Sequence, residues 1–183
     1  MTYKYFGLIG LLVLLCGLVF VVKKWPQSKR MTFSQHVAQH KIAVLYYIVL
    51  FSIDLPLLLL FFIGWFIPTL KLTWWFGLFI VMSSVAQYAC TLIPEVGGWK
   101  SKFHRLSAGV SAFCLVPALS LLLMSDKITT PSKFITAACL LVMIGAAYLV
   151  VKYRGKPDNF LVLQASYFAA FFTPVLFISY LQF

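Results

Sequence analysis

The sequence predicts an all-α integral membrane protein: a polytopic bundle of six transmembrane helices in a single domain, residues 1–183, with both termini non-cytoplasmic. Three observations carry that prediction. Hydrophobic residues make up 62% of the chain and charged ones 10%, where a soluble domain runs nearer half apolar and about a quarter charged, so one soluble core could not hide the apolar surface. The apolar residues gather in six stretches, residues 5–22, 42–67, 74–93, 106–124, 134–151 and 160–181. Each is close to the roughly 20 residues a helix needs to cross about 30 Å of hydrocarbon. Lys and Arg then set the orientation. The first, third and fifth connections hold eleven of them, from Lys23, Lys24, Lys29, Arg30 and Lys41 through Lys100, Lys102 and Arg105 to Lys152, Arg154 and Lys156; the other side holds four, Lys4, Lys71, Lys127 and Lys133. Loops one, three and five are therefore expected in the cytoplasm and the chain in the cell membrane. The net charge of +11 has the same origin. Basic residues flank helices beside an anionic leaflet, which makes anionic lipids expected partners and leaves nucleic acid no role.

Residues 5–22 form the first helix. Only Lys4 precedes it as a basic residue, no small-residue cleavage site follows, and Lys23-Lys24 stand as a stop-transfer signal, so a retained helix is expected instead of a signal peptide.

The second helix is predicted to begin before its apolar run, because Thr32-Phe33-Ser34-Gln35 fits a capping box. Carried forward as one helix, it sets His36, His40, Tyr47 and Asp54 within about 40° of one another at 100° per residue. Asp54 lies about 18 Å into the membrane at 1.5 Å per residue, in the run FSIDLPLLLL. A charge there costs about 2.5–3.5 kcal/mol on insertion scales, so the side chain is expected to face the interior, to be protonated, or to meet water. Ser52, Ser83, Ser84, Ser120 and Thr173 lie at similar depth as possible partners, and Pro56 should kink the helix beside the carboxylate.

Trp65, Trp74, Trp75 and Tyr180 at the outer helix ends, and Trp25, Trp99 and Tyr153 at the inner ones, fit the two water–lipid boundaries. In the fourth helix His104, Ser107, Ser111, Cys114 and Ala118 follow a 3, 4, 3, 4 spacing, a small-residue seam that lets backbones approach. Ala165 and Ala169 in the last helix offer a partner seam. The four cysteines fall singly in apolar stretches and read as small buried hydrophobes.

All three histidines and Glu95 fall on the cytoplasmic side of this topology. His36 and His40 at i and i+4, completed by His104 with Glu95, would make a tetrahedral Zn site. Other catalytic patterns are missing: there is no GxSxG, no HExxH and no glycine-rich phosphate loop, and no catalytic residue is assigned.

TLIPEVGG, closing the third helix, and KFHRLSAGVSAF, opening the fourth, resemble a pattern in small six-span bacterial membrane proteins of unknown function, themselves similar to the DRAM/Sfk-type group of eukaryotic membrane proteins. There a proline and an acidic residue close one helix, and a histidine with small residues opens the next. The resemblance implies a six-span fold without an established activity, and Pro94, Glu95, His104, Ser107 and Ala108 as its signature positions. Glu95 stands where the pattern has Asp.

The functional expectation is non-enzymatic: binding or moving a small solute, ion, proton or lipid through a polar interior centred on Asp54. Tyr47, Ser83, Ser84, Ser111 and Glu95 are the further binding or coupling residues. The alternatives are a structural subunit of a membrane complex and a metal-dependent membrane hydrolase built on His36, His40 and His104.

Overall fold

A computed structural model describes residues 2–95, 97–153 and 158–183. Val96 of the TLIPEVGG segment and the basic residues Arg154 and Lys156 lie outside the described residues. Six helical runs are long and apolar enough to cross a membrane: Tyr3–Lys24, Lys41–Leu70, Trp74–Leu92, Gly98–Leu123, Thr130–Lys152 and Phe160–Gln182. In detail, α1 (Thr2–Lys24) is followed by a short α2 (Phe33–Ala38). α3 (Lys41–Phe61) then continues through a π-helical turn at Phe62–Phe66 into α4 (Ile67–Leu70). After α5 (Trp74–Leu92), α6 (Gly98–Leu123) and α7 (Thr130–Lys152), α8 (Phe160–Phe177) ends in a second π-helical turn at Ile178–Gln182. The protein is an all-α, multi-pass membrane bundle, as its composition and apolar runs require.

Hydrogen bonds sort the connections into two ends. Ser34 Oγ lies 2.9 Å from His104 Nε2, joining the first connection to the start of α6. Leu161 N donates to Lys29 O at 3.1 Å, and Arg30 pairs with Asp158 at 2.8 Å, which brings the fifth connection to the same end. At the opposite end the Tyr180 hydroxyl enters the first turns of α1. It accepts from Leu8 N at 3.1 Å and donates to Lys4 O at 2.6 Å, standing between two groups an α-helix would normally pair directly. Ser125 Oγ donates to Leu70 O there at 3.2 Å. Both termini thus share one end with the second and fourth connections, the alternation that six crossings dictate.

Helices in lipid gain no hydrophobic drive from meeting each other, so close packing of small residues has to hold them. α1 packs mainly on α3, α5 on α6 and α7 on α8. On α1 the approach is set by glycine: a Cβ at Gly7 would stand 2.6 Å from the Phe61 ring, and one at Gly10 3.1 Å from Leu58. On α6 the seam of His104, Ser107, Ser111, Cys114 and Ala118 is buried throughout. Ala165 and Ala169, expected to face it, are exposed instead. α8 turns Tyr167, Ala170 and Phe171 inward, and the Tyr167 hydroxyl donates to Ala112 O of α6. A large aromatic side chain with a polar tip fills more of the interface than two methyl groups.

Two boundaries also move. α6 starts at Gly98, well before the apolar run at 106, and α7 starts at Thr130. The first turns of α6 carry the exposed Lys100, Lys102 and Arg105, so hydropathy alone assigns to a loop what is helix reaching beyond the hydrocarbon. Near the end that holds both termini, Phe61, Phe62, Phe66, Phe76 and Phe171 form a buried aromatic layer with ring centroids 5.0–6.2 Å apart, which closes that side of the bundle.

Candidate functional site

The inward face of α3 repeats at three and four residues: Tyr47, Leu50, Phe51, Asp54, Leu58 and Phe61 are its buried positions with Ala43. That register alone turns Asp54 into the bundle, where it is 0% exposed. Neither carboxylate oxygen has a hydrogen-bond partner among the described residues. Most buried polar groups are paired, because an unpaired one costs about 1–3 kcal/mol, more if charged.

Asp54 borders a partly open cavity of about 70 Å³. At roughly 30 Å³ per water, that is space for about two. α1, α2, α3, α5, α6 and α8 all contribute to its wall, along with Phe62 of the π turn. Six rings, Phe33, Tyr47, Phe51, Phe62, Phe168 and Phe172, share that wall with as many Leu and Ile side chains. The polar groups are Asp54, the hydroxyls of Tyr47, Ser83, Ser84 and Ser111, and the amides of Gln87 and Gln164. Ser83 Oγ donates to Ser111 O at 3.0 Å and lies 3.1 Å from Ser111 Oγ, while Ser84 Oγ donates to Ile80 O at 2.9 Å. Their lone pairs remain for a ligand or water. Across from Asp54, α1 presents Gly10, where an added Cβ would lie 3.4 Å from Oδ1.

The other polar residues placed at this depth have different roles. Ser52 is exposed and its Oγ is 3.2 Å from the Tyr88 hydroxyl. Thr173 is exposed and donates to Ala169 O, and Ser120 donates to Val116 O. Pro56 is exposed, and α3 runs through it to Phe61 before the ladder changes to π geometry.

α2 closes the end of the cavity opposite the aromatic layer. Its capping box forms as the sequence predicts: Thr32 Oγ1 accepts from Gln35 N at 3.2 Å, and Gln35 Oε1 accepts from Thr32 N at 3.0 Å. Phe33 reaches the cavity, and its backbone N–H donates to Gln164 Oε1 of α8 at 3.1 Å.

The helix through α2 does not continue into α3. His40 is extended, at φ −138° and ψ 124°, and opens α3 as its N-cap. Burial explains the break, because Phe33, His36 and Val37 pack inward while Gln39, His40 and Lys41 stay exposed, so α2 lies across the bundle end while α3 turns into the membrane. The expected single face through His36, His40, Tyr47 and Asp54 is therefore corrected. His36 is buried with Nδ1 donating to Thr32 O at 2.9 Å, and His40 is exposed. Among the described residues no three His, Cys, Asp or Glu side chains form a group that could hold a metal ion. His36, His40 and His104 thus do not assemble the tetrahedral set foreseen for Zn.

His104 is fixed instead by neighbours of another kind. Nδ1 sits 2.7 Å from Ile93 O, and a carbonyl only accepts, so Nδ1 carries the proton. Nε2 then accepts from Ser34 Oγ at 2.9 Å, with Cys90 Sγ 3.2 Å away. A hydroxyl, an imidazole and an orienting carbonyl have the order of a nucleophile–base pair. The adjoining pocket, lined in part by Ser34, Cys90, Pro94 and His104, is only about 10 Å³, too small for a substrate. Glu95 is apart from both sites in its bonding, accepting from Arg105 Nε at 2.6 Å.

Gln87 and Gln164 are site residues that the sequence reading passes over. Their signal was available, since a neutral amide within a span also needs a reason to be there. Set against models of known protein families, curated proteins and solved structures, the chain matches none of them.

Proposed function

We propose that this membrane protein binds a small solute or proton at Asp54 inside the helix bundle, without performing covalent chemistry on it. One observation carries the reading: a fully buried carboxyl with no hydrogen-bond partner among the described residues borders a cavity large enough for about two waters. A structural acid would tie helices together by its hydrogen bonds, and Asp54 makes none among the described residues. Tyr47, Ser83, Ser84, Ser111, Gln87 and Gln164 supply the further polar contacts. Glu95 has no part in the cavity on this reading.

The same proposal places loops one, three and five in the cytoplasm, on the Lys and Arg asymmetry, with their basic side chains at anionic lipid headgroups. The similarity to the six-span bacterial and DRAM/Sfk-type proteins belongs with it. Pro94 and His104, two of the signature positions, border the same small pocket.

A small carbodiimide tests the central claim, because it converts a reachable carboxylic acid into a stable N-acylurea that mass spectrometry locates. In membranes buffered just below neutrality, the peptide carrying Asp54 should gain the adduct. A peptide that stays unmodified while Asp126 and Asp158 react would show a sealed carboxyl, and the solute-binding reading would fall.

A further inference from the structure

We propose that the ligand of the Asp54 cavity is a small organic cation, an alkylammonium of about two to four non-hydrogen atoms. The inference rests on reading that cavity as a binding site, and it names the class of ligand.

Charge gives the first argument. Among the described residues Asp54 is the cavity's one carboxylic acid, and no Lys, Arg or His lines it. A carboxylate out of water needs an opposite charge. Since the described wall supplies none, Asp54 is ionised there only when the partner arrives with the ligand. An anionic solute would meet the carboxylate and nothing to offset the repulsion.

The wall gives the second argument. Six rings line the same cavity as the acid, and the faces of aromatic rings attract ammonium groups, most strongly where water is excluded. An alkylated ammonium suits both parts of the lining, placing its nitrogen on the carboxylate and its carbons against Phe and Tyr. A bare divalent ion suits neither: it wants six or more oxygen ligands and brings two charges to one carboxyl. Among the polar groups, the Ser83 and Ser84 hydroxyl protons are already donated to backbone carbonyls, so these hydroxyls meet a ligand only as acceptors, which suits an N–H donor.

Size gives the third. A cavity of about 70 Å³ corresponds to about two waters, which admits a short alkylamine and excludes a lipid or a polycyclic cation.

The test uses the full chain in detergent, with ethylammonium and propylammonium chloride as probes. Sodium chloride at equal ionic strength and a neutral alcohol of matching size are the controls. Both ammonium salts should raise the unfolding midpoint, by roughly 5–10 °C at a hundredfold excess over Kd, and should shield Asp54 from the carbodiimide. Asp54→Asn keeps the shape and removes the charge, so its midpoint should ignore the probes. An equal rise with sodium chloride or the alcohol, or an undiminished rise in Asp54→Asn, would overturn the cation assignment. Carbodiimide labelling that proceeds unprotected by either ammonium would also reject the cation while leaving an accessible binding carboxyl in place. No labelling at all removes the site itself, so the two failures are distinct.

Discussion

Asp54 and His104 are both ionisable, both buried, and oppositely treated by their neighbours. His104 has a carbonyl at one nitrogen and a hydroxyl at the other, so the side chain ties α6 to the connection before it and to α2. Removing it leaves the Ile93 carbonyl without that partner, worth about 1–3 kcal/mol when buried and unpaired, while the Ser34 hydroxyl keeps Thr32 Oγ1 at 2.9 Å. His104→Phe should therefore lower stability by an amount in that range, read from thermal unfolding in detergent. His40→Ala should change it by less than about 0.5 kcal/mol, because His40 is exposed and its side chain makes no capping bond. Equal effects of the two changes would remove the structural role given to His104. At this scale Asp54 was legible from sequence because a lone acid in FSIDLPLLLL contradicts its surroundings. The histidines were not. Their roles depend on which backbone carbonyl and which hydroxyl each ring meets, and spacing along one chain does not contain that.

Elements were legible where hydrophobicity decides them and obscure where packing does. The six spans follow from apolar runs, and the start of α2 follows from the local chemistry of Thr32 and Gln35. The break at His40 does not, since no Pro or Gly marks it; it arises because α2 buries Phe33 and Val37 across the bundle end. The α1–α3 contact was equally hidden, for glycines in an apolar stretch look like any other small residue until the partner helix is placed. Gly7 makes the point testable. Replacing it with Ala adds a methyl 2.6–2.9 Å from three atoms of the Phe61 ring, and overpacking of that kind costs about 1–3 kcal/mol. Gly145 on α7 has open space where the methyl would go, so there Ala should be neutral or stabilising by up to about 1 kcal/mol through helix propensity. Unfolding midpoints of Gly7→Ala and Gly145→Ala should thus move in opposite directions, or only the first should fall. Should Gly7→Ala be as stable as the parent, α1 does not sit against α3 as closely as described.

On the scale of the whole molecule, the alternation of connections fixes one relation between the ends and the charges choose between its two orientations. The Tyr180 hydroxyl bridging Leu8 and Lys4 holds the last span against the first, and Lys4 Nζ stacks 5.2 Å from the Tyr180 ring and 5.4 Å from the Trp65 ring. Both termini must therefore report the same side of the membrane, whichever side that is. The opposite end carries most of the chain's cations, among them the exposed Lys23, Lys24, Lys41, Lys100, Lys102 and Lys152, and short loops rich in Lys and Arg stay in the cytoplasm. A reporter that works only outside the cytoplasm should be active when fused after Phe183 and silent when inserted between Gln27 and Ser28 in the first connection; a cytoplasmic reporter should show the reverse. Opposite activities at the two termini would contradict the six-crossing fold. Matching termini on the cytoplasmic side would keep the fold and invert the orientation, which would turn the α2-covered end of the Asp54 cavity toward the outside.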